Sequence, residues 1–532
     1  MPNVECVGST IELFVCPSRG QQFSLYGKRN RSGSEHFEHT WARKLHSGTI
    51  SQAAPPQISA MLPLVVDLDG TLIRSDLLIE SGLLFVRQQP TRVWAPLLWL
   101  ASGKAHLKAM LARDCPLDVA GLPYDSRVIA LIEEERAKGR QIILATASHR
   151  IYAEQVAAHL KLFDRVLATE GEVNLSARRK RDRLVEEFGD KGFDYVGNSG
   201  DDLPVWAAAH RAYVANPENG VEAKAKALGN VERVFPSVTK PLKSWIKALR
   251  FYQWMKNLLI FVPLLASHKA SHGDLLLDGV LAFLFFGLCA SSVYVLNDLL
   301  DLPDDRHHST KRNRPFASGA LPVQAGLMVF PVLLVAAFAG SFWLLPRQFT
   351  VALALYYVMT LAYSLVLKRK MVVDVITLAM LYTIRIIAGT FAFAVSVTFW
   401  MLAFSMFIFL SLALVKRYAE LHEARSRGKL EQARGRGYYP EDLPMIASLG
   451  AASGYMAVMV LALYIQDQNT VMLYRHPKAI WLACPLLLYW ISRTWLMTHR
   501  GEMHDDPVVF AIKDRISLVV GALFGAIFWF AA

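Results

Sequence analysis

Two short runs carry most of the chemistry this chain could perform. The first is Asp67-Leu68-Asp69-Gly70-Thr71, at the end of the apolar run LPLVV. Two carboxylates at i and i+2 on the carboxyl end of a parallel strand can share a magnesium ion, one attacking phosphorus while the other moves the proton. Gly70 allows the tight turn away from such a site. The second run is NDLLDLPDDRHHSTKRNRP, residues 297–315, where a long apolar stretch ends in charge of both signs. On a helix turning 100° per residue, Asp298, Asp301 and Asp305 stand at i, i+3 and i+7 and share one face, with Asn297 beside it. Such a face suits Mg2+, which takes one or two carboxylates plus water and substrate phosphates. Arg306, Lys311, Arg312 and Arg314 follow, placed to clamp a phosphate that the metal also touches. Acids for metal beside bases for phosphate describe a diphosphate site, where breaking a C–O bond to diphosphate needs the departing charge stabilised. Pro303, inside the acidic run, is able to kink or unwind the helix end and bears on that alignment.

A partner run lies downstream. In YSLVLKRKMVVDVITLAMLYTIRIIAG, residues 363–389, Asp374 and Arg385 are eleven positions apart, about 20° from alignment, so both point to one side of a helix. An Arg this deep in an apolar span is expensive unless it faces a polar cavity or a partner. Lys368 and Arg369 add charge that can reach phosphate at the same end.

These runs must be positioned by two kinds of scaffold. The 532 residues exceed one ordinary soluble domain, and 53% hydrophobic with only 19% charged residues is high for a water-soluble protein. Residues 61–215 alternate strand-like runs (LPLVVDLD, QIILATAS, FDYVGNS) with amphipathic segments, the pattern of an α/β doubly wound parallel sheet. Residues 76–135 are expected to form a small helical cap. Residues 1–60 lack periodicity and a signal-peptide pattern and read as a disordered extension, with Met61 as an alternative start. Residues 216–245 read as a linker. From about 246 the chain reads as an all-α polytopic membrane domain with nine candidate spans. They lie near 253–268, 276–297, 324–345, 349–367, 372–394, 398–416, 444–465, 478–498 and 515–531.

The net charge of +12 does not point to nucleic acid, because the bases cluster in short loops between apolar blocks. Loops after spans two, four, six and eight carry Arg306 through Arg314, Lys368 through Lys370, Lys416 through Arg436, and Arg500 with Lys513. The alternate loops carry Lys269, Arg347 and Arg475. This asymmetry places the amino-terminal domain and the even loops in the cytoplasm, with the chain in the inner membrane. Lys416, Arg417 and Glu420 then either face a cytoplasmic vestibule or anchor the membrane surface. RGEMHDDPVVFAIKD, residues 500–514, reads as a capping loop. Five scattered cysteines without CxxC spacing suggest a reducing compartment and no disulfide framework.

The DxDGT run, with the strand ILAT, Lys180 and Gly197-Asn198-Ser199-Gly200-Asp201-Asp202 in that order, resembles the haloacid dehalogenase (HAD) superfamily. The resemblance implies a hydrolase in which Asp67 and Asp69 are catalytic, Thr146 holds phosphate and Lys180 balances its charge. Asn198 stands where that family commonly has Asp, so Mg2+ would rest on Asp67, Asp69 and Asp202, with Asp201 as an alternative. The NDxxDxxxD run, RPxASG at 314–319, the YSxxLKR segment and the spans resemble the UbiA superfamily of intramembrane prenyltransferases over residues 245–532. There two acidic motifs bind Mg2+-diphosphate, which implies a site with Asp298, Asp301, Asp305 and Asp374 on metal.

Position 378 is Leu where aromatic prenyltransferases show a second Asp. That departure, DRxHxTKRxRP and QWxKN (Gln253, Trp254, Lys256, Asn257) look like the branch of decaprenyl-phosphate phosphoribosyltransferases. The resemblance implies a polyprenyl lipid and a diphosphate donor as partners, phosphoribosyl diphosphate first. Substrate contacts would come from Lys256, Asn257, Asn297, Arg306, Lys311, Arg312, Arg314, Lys368 and Arg385. Prenyl transfer to an aromatic or other small acceptor is the alternative, and a transporter or lipid-binding protein with a regulatory HAD domain is the alternative of another class. The oligomeric state is not legible.

Overall fold

A computed structural model describes residues 61–532 apart from 172–173, 238–240, 268–272, 309, 429–436 and 504–505. The expectation for residues 1–60 lies outside the described residues.

Six parallel strands, β1 (Leu64–Val66), β2 (Ile142–His149), β3 (Arg165–Thr169), β4 (Asp194–Gly197), β5 (Ala212–Ala215) and β6 (Val231–Phe235), form one sheet in the order β3-β2-β1-β4-β5-β6. The central strand β1 is an unbroken LVV with every residue fully buried, as a strand covered by helices on both faces must be. Its neighbours β2 and β4 lie on opposite sides, so the chain reverses its direction of travel across the sheet at β1. The crevice outside the carboxyl ends at such a switch point is where α/β sheets bind ligands. Asp67 is the first residue beyond β1, Thr146 and Ser148 lie in the far half of β2, and Asn198 follows β4.

The sheet extends further than the sequence suggested. Residues 221–235, expected as linker, supply the helix Val221–Lys226 and the edge strand β6. Its alternation of Val231, Val234 and Phe235 with exposed Glu232 and Arg233 is weak because an edge strand buries only part of itself.

Helix α1 (Leu77–Gln88) opens the cap, with the Asp76 side chain accepting from the Leu78 and Ile79 amides at 2.9 and 3.2 Å. The helices Ala95–Ala101 and Lys104–Asp114 complete it.

Among the described residues seven helices are long and apolar enough to cross a membrane: Gly273–Leu300, Val323–Leu344, Arg347–Leu365, Val373–Ala392, Phe399–Ser426, Pro440–Gln466 and Pro477–His499. Arg515–Ala531 is apolar but shorter. The first expected span is instead a 3₁₀ helix, Phe251–Phe261, continued by Val262–Ala266. It carries Lys256 and Asn257, both buried against protein partners and turned away from lipid. Gly273–Leu300 and Val373–Ala392 are the two helices most enclosed by protein, and both carry the acids singled out in the sequence. Apolar side chains of these two helices and of Arg347–Leu365 share one core around Phe286, Phe349 and Ala388.

Two candidate active sites

At the carboxyl edge of the sheet Lys180, on the helix Ala177–Phe188, reaches back to Asp67 at 2.6 Å, to the Tyr195 hydroxyl at 2.9 Å and to Asp202 at 3.6 Å. Burial raises the Asp67 carboxyl to about 6 against the opposing pull of Lys180. Burial likewise raises Asp69 to about 7, helped by Asp76 and Asp67. Burial lowers the Lys180 ammonium, and Asp67 and Asp202 more than offset it. Asp69 accepts from the Leu77 amide at 2.9 Å and from Ser148 Oγ at 2.6 Å, with Thr146 Oγ1 at 3.4 Å. Asp67, Asp69, Thr146 and Lys180 are thus brought together. Ser148, Tyr195 and Lys108 join them without having been picked out. Lys108 enters from the cap, donating to the Ala147 carbonyl at 2.6 Å and Asn174 Oδ1 at 2.8 Å.

The metal set divides differently from the expectation. One carboxylate oxygen of Asp202 accepts from the Asn198 amide (2.9 Å), the Ser199 amide (3.0 Å) and Ser199 Oγ (3.1 Å), and the other accepts from Tyr195 (2.7 Å). Asp202 therefore holds the loop, and Asp201 is exposed. Asn198 faces the site instead, because the Thr71 hydroxyl lies 3.3 Å from both Asn198 Oδ1 and an Asp67 oxygen. Gly70, at φ +76°, has to be Gly: a Cβ there would sit 2.2 Å from Asn198 Nδ2. Asp67, the Asp69 carbonyl and the neutral Asn198 oxygen could take Mg2+, a set one charge poorer than two carboxylates would give.

In the membrane domain Pro303 does interrupt the acidic run. Gly273–Leu300 ends before it, Asp301 takes the N-cap position of a new short helix, Leu302–His307, without a side-chain cap, and Pro303 occupies that helix's first turn. The three aspartates therefore do not share one continuous helical face. Asp298 and Asp305 still converge, both accepting from Arg314 Nη1 at 3.1 and 2.6 Å. Burial raises the Asp305 carboxyl to about 6, opposed by Arg314. Arg250, at the entrance to the QWxKN segment, also binds Asp298 and lies 4.9 Å over the Tyr294 ring. Asp301 stands nearer the surface, 3.5 Å from Lys368 and 4.0 Å from Arg87. The contact between Asp301 and Lys368 joins the two motif loops. Asn297 is half-buried, and Lys311 and Arg312 are exposed. Arg306 is turned to Glu80 of α1.

No group of three or more His, Cys, Asp or Glu among the described residues is arranged to hold a metal by itself. Asp298 and Asp305 nevertheless already converge on one positive group, the Arg314 guanidinium. Two carboxylates on one positive charge, with phosphate oxygens and water completing the shell, fit Mg2+.

Asp374 stands with other partners. It is fully buried, 2.7 Å from Arg417 and 2.6 Å from the Tyr438 hydroxyl. Arg385 donates to Asn257 Oδ1 at 3.2 Å and the Tyr356 hydroxyl at 3.1 Å, and packs on the Phe286, Tyr356 and Tyr382 rings. Lys256 meets Asp506 at 2.8 Å, and Asp506 also takes Lys416 at 3.0 Å and the Tyr382 hydroxyl at 3.1 Å. Asp506 does cap a helix, accepting from the Val508 amide at 3.2 Å, but its ion pairs with buried Lys256 and half-buried Lys416 give it a larger part than a capping loop. A helix-opening Asp-Pro gave the cap away, and nothing local announced Lys256, 250 residues earlier.

The chain matches the UbiA prenyltransferase family over residues 258–531 and the haloacid dehalogenase-like hydrolase family over residues 64–205. It is 37% identical over 469 residues to the uncharacterized protein y4nM of Sinorhizobium fredii, covering 88% of this chain and 90% of that one. It is 36% identical over 294 residues to the nodulation protein NoeC of Azorhizobium caulinodans, covering 54% of this chain and 94% of that one. It is 30% identical over 276 residues to the decaprenyl-phosphate phosphoribosyltransferase of Mycobacterium tuberculosis, covering 51% of this chain and 88% of that one.

Proposed function

The chain belongs to the UbiA prenyltransferase family and is a multi-pass membrane protein with an amino-terminal HAD-like domain; from that premise we propose that it transfers phosphoribose from phosphoribosyl diphosphate to a polyprenyl phosphate. The observation that carries this reading is the convergence of Asp298 and Asp305 on the Arg314 guanidinium, with Arg250 on Asp298 as well. An oxygen of the lipid phosphate attacks C1 of the ribose, and the C1–O bond to diphosphate breaks with its electron pair, so that inorganic diphosphate leaves. Asp298 and Asp305 would hold Mg2+, which would supply charge neutralisation for that leaving group. Arg250 and Arg314, which stand on these carboxylates, are within reach of the same diphosphate and would bind its oxygens. Lys256, Lys416 and Arg385 line a second cationic region suited to the acceptor's phosphate. Leu378 packs against an apolar cluster with Val375 and Leu414, so the helix of Asp374 offers no second acid there. The relative named decaprenyl-phosphate phosphoribosyltransferase supports the choice of donor.

The HAD-like domain then removes the 5-phosphate left on the lipid-linked ribose. Asp67 attacks phosphorus, Asp69 protonates the departing ribose oxygen, and water releases phosphate from Asp67. Both sites face the cytoplasm in this reading, with the chain in the inner membrane.

Membranes containing the protein, given labelled phosphoribosyl diphosphate, Mg2+ and polyprenyl phosphate, are expected to form labelled lipid. Formation of product only from prenyl diphosphate and an aromatic acceptor would replace this donor assignment, and Mg2+-independent movement of lipid with neither would point to transport.

The hydrolase site makes its own prediction. Asn198→Asp is expected to lower the Mg2+ concentration for half-maximal p-nitrophenyl phosphate hydrolysis on the order of tenfold, since it adds a charged oxygen beside Asp67. An unchanged Mg2+ profile would show that Asn198 does not face the metal.

A further inference from the structure

We infer that Glu80, a residue of the hydrolase domain, is a positioning residue for the transferase site. The inference rests on the reading of Asp298 and Asp305 as the Mg2+-diphosphate site. Helix α1 touches both sites. At its start the Leu77 amide donates to Asp69 at 2.9 Å. One turn on, both Glu80 oxygens accept from the two terminal nitrogens of Arg306 at 2.6 and 2.7 Å, with side chains only 4% and 7% exposed. The Ser75 hydroxyl bonds the same carboxylate, and Arg306 Nε donates to the Ala317 carbonyl at 3.2 Å. At its last turn Arg87 binds Asp304 and lies 4.0 Å from Asp301. Ile79, Leu83 and Val86, spaced i, i+4 and i+7 along one stripe, pack into a core with Leu299, Leu302 and Phe316 of the membrane domain.

The helix that receives these contacts, Leu302–His307, is six residues long, far too short to hold its own direction. It carries Asp305, whose approach to Arg314 and Asp298 makes the diphosphate site. Arg306 is the next residue, and its guanidinium is filled by Glu80 and Ala317, leaving little of it for phosphate. Gly319 of RPxASG belongs to the same joint: at φ +69° its Cβ would lie 2.6 Å from Arg74 Cβ, so only Gly lets the two domains close there. The hydrolase domain thus holds the short helix at the angle that brings Asp305 to Asp298.

The test uses the purified full chain in detergent, with Mg2+ and inorganic diphosphate as probe in titration calorimetry, and with phosphoribosyl diphosphate in turnover. Glu80→Gln is expected to weaken Mg2+-diphosphate binding and to raise the donor KM on the order of tenfold to a hundredfold, with kcat at saturation retained. Arg306→Lys, which keeps the charge but not the paired geometry, is expected to fall between wild type and Glu80→Gln and guards against a Glu80 variant that does not fold. Wild-type binding by either folded variant, or a loss confined to kcat, would overturn the positioning role. Absence of Mg2+-diphosphate binding by the wild-type chain would overturn the reading of the site beneath it, a distinct result.

Discussion

Asp298→Asn is expected to abolish Mg2+-dependent turnover of the diphosphate donor, with kcat/KM lower on the order of a thousandfold. Asp298 is the hinge of the site: it is 2% exposed, it closes the pair with Asp305 through Arg314, and it takes Arg250 from the segment that enters the membrane. The amide keeps the shape and removes the charge, so a Mg2+ ion held at the proposed site would lose one of its two carboxylates. The stranded bases retain other company, Arg314 on Asp305 and Arg250 over Tyr294, which argues for a folded variant. Hydrolysis of p-nitrophenyl phosphate by the amino-terminal domain, measured on the same preparation, is expected to persist and serves as the internal control for folding. Turnover of the donor within tenfold of wild type would reduce Asp298 to an anchor for two arginines.

Much of both sites could be read from the chain because their signals are local. Asp67 and Asp69 follow a strand, Thr146 lies in the far half of one and Lys180 is in the first turn of a helix, in a fixed order, and the sheet brings strand ends together. Pro303 showed in advance where the acidic run would break. Other features depend on partners far away in sequence, and no local pattern encodes them. The apolar stripe Ile79, Leu83 and Val86 reads as an ordinary amphipathic helix of a soluble cap, yet its partner is the membrane domain's first motif, and Glu80 meets Arg306 across 226 residues. The HAD resemblance places Asp202 on the metal because Asn198 replaces the usual Asp, while its hydrogen bonds to the Asn198 and Ser199 amides depend on how the loop closes, which the motif does not spell out. The apolar run near 253–268 was legible, but its 3₁₀ form was not, because Lys256 and Asn257 are buried among Asp506, Arg385 and Tyr382, partners far along the chain. Hydropathy also treated Val231–Phe235 as linker, since an edge strand carries half a pattern.

Asp374→Asn is expected to destabilise the chain by about 3–5 kcal/mol, the cost of leaving a buried cation without its carboxylate. The Arg417 side chain is 1% exposed and Asp374 is 0% exposed, 2.7 Å apart, and the other acid near Arg417, Glu420, is 42% exposed. The pair therefore joins the helices Val373–Ala392 and Phe399–Ser426 deep in protein, and Tyr438 closes it from the segment that follows. A drop in the thermal midpoint in detergent is the measurement. The counter-variant separates structure from chemistry. Asp374→Leu with Arg417→Met removes both charges, and a buried ion pair replaced by apolar side chains of similar volume is commonly near neutral, so the double variant is expected to recover most of the midpoint. If Asp374 were a metal ligand, as its place in the second acidic motif suggested, Asp374→Asn would leave the midpoint in place and remove turnover, and the double variant would melt normally but stay inactive. Recovery of both midpoint and turnover in the double variant would assign Asp374 to the fold, leaving the metal to Asp298 and Asp305.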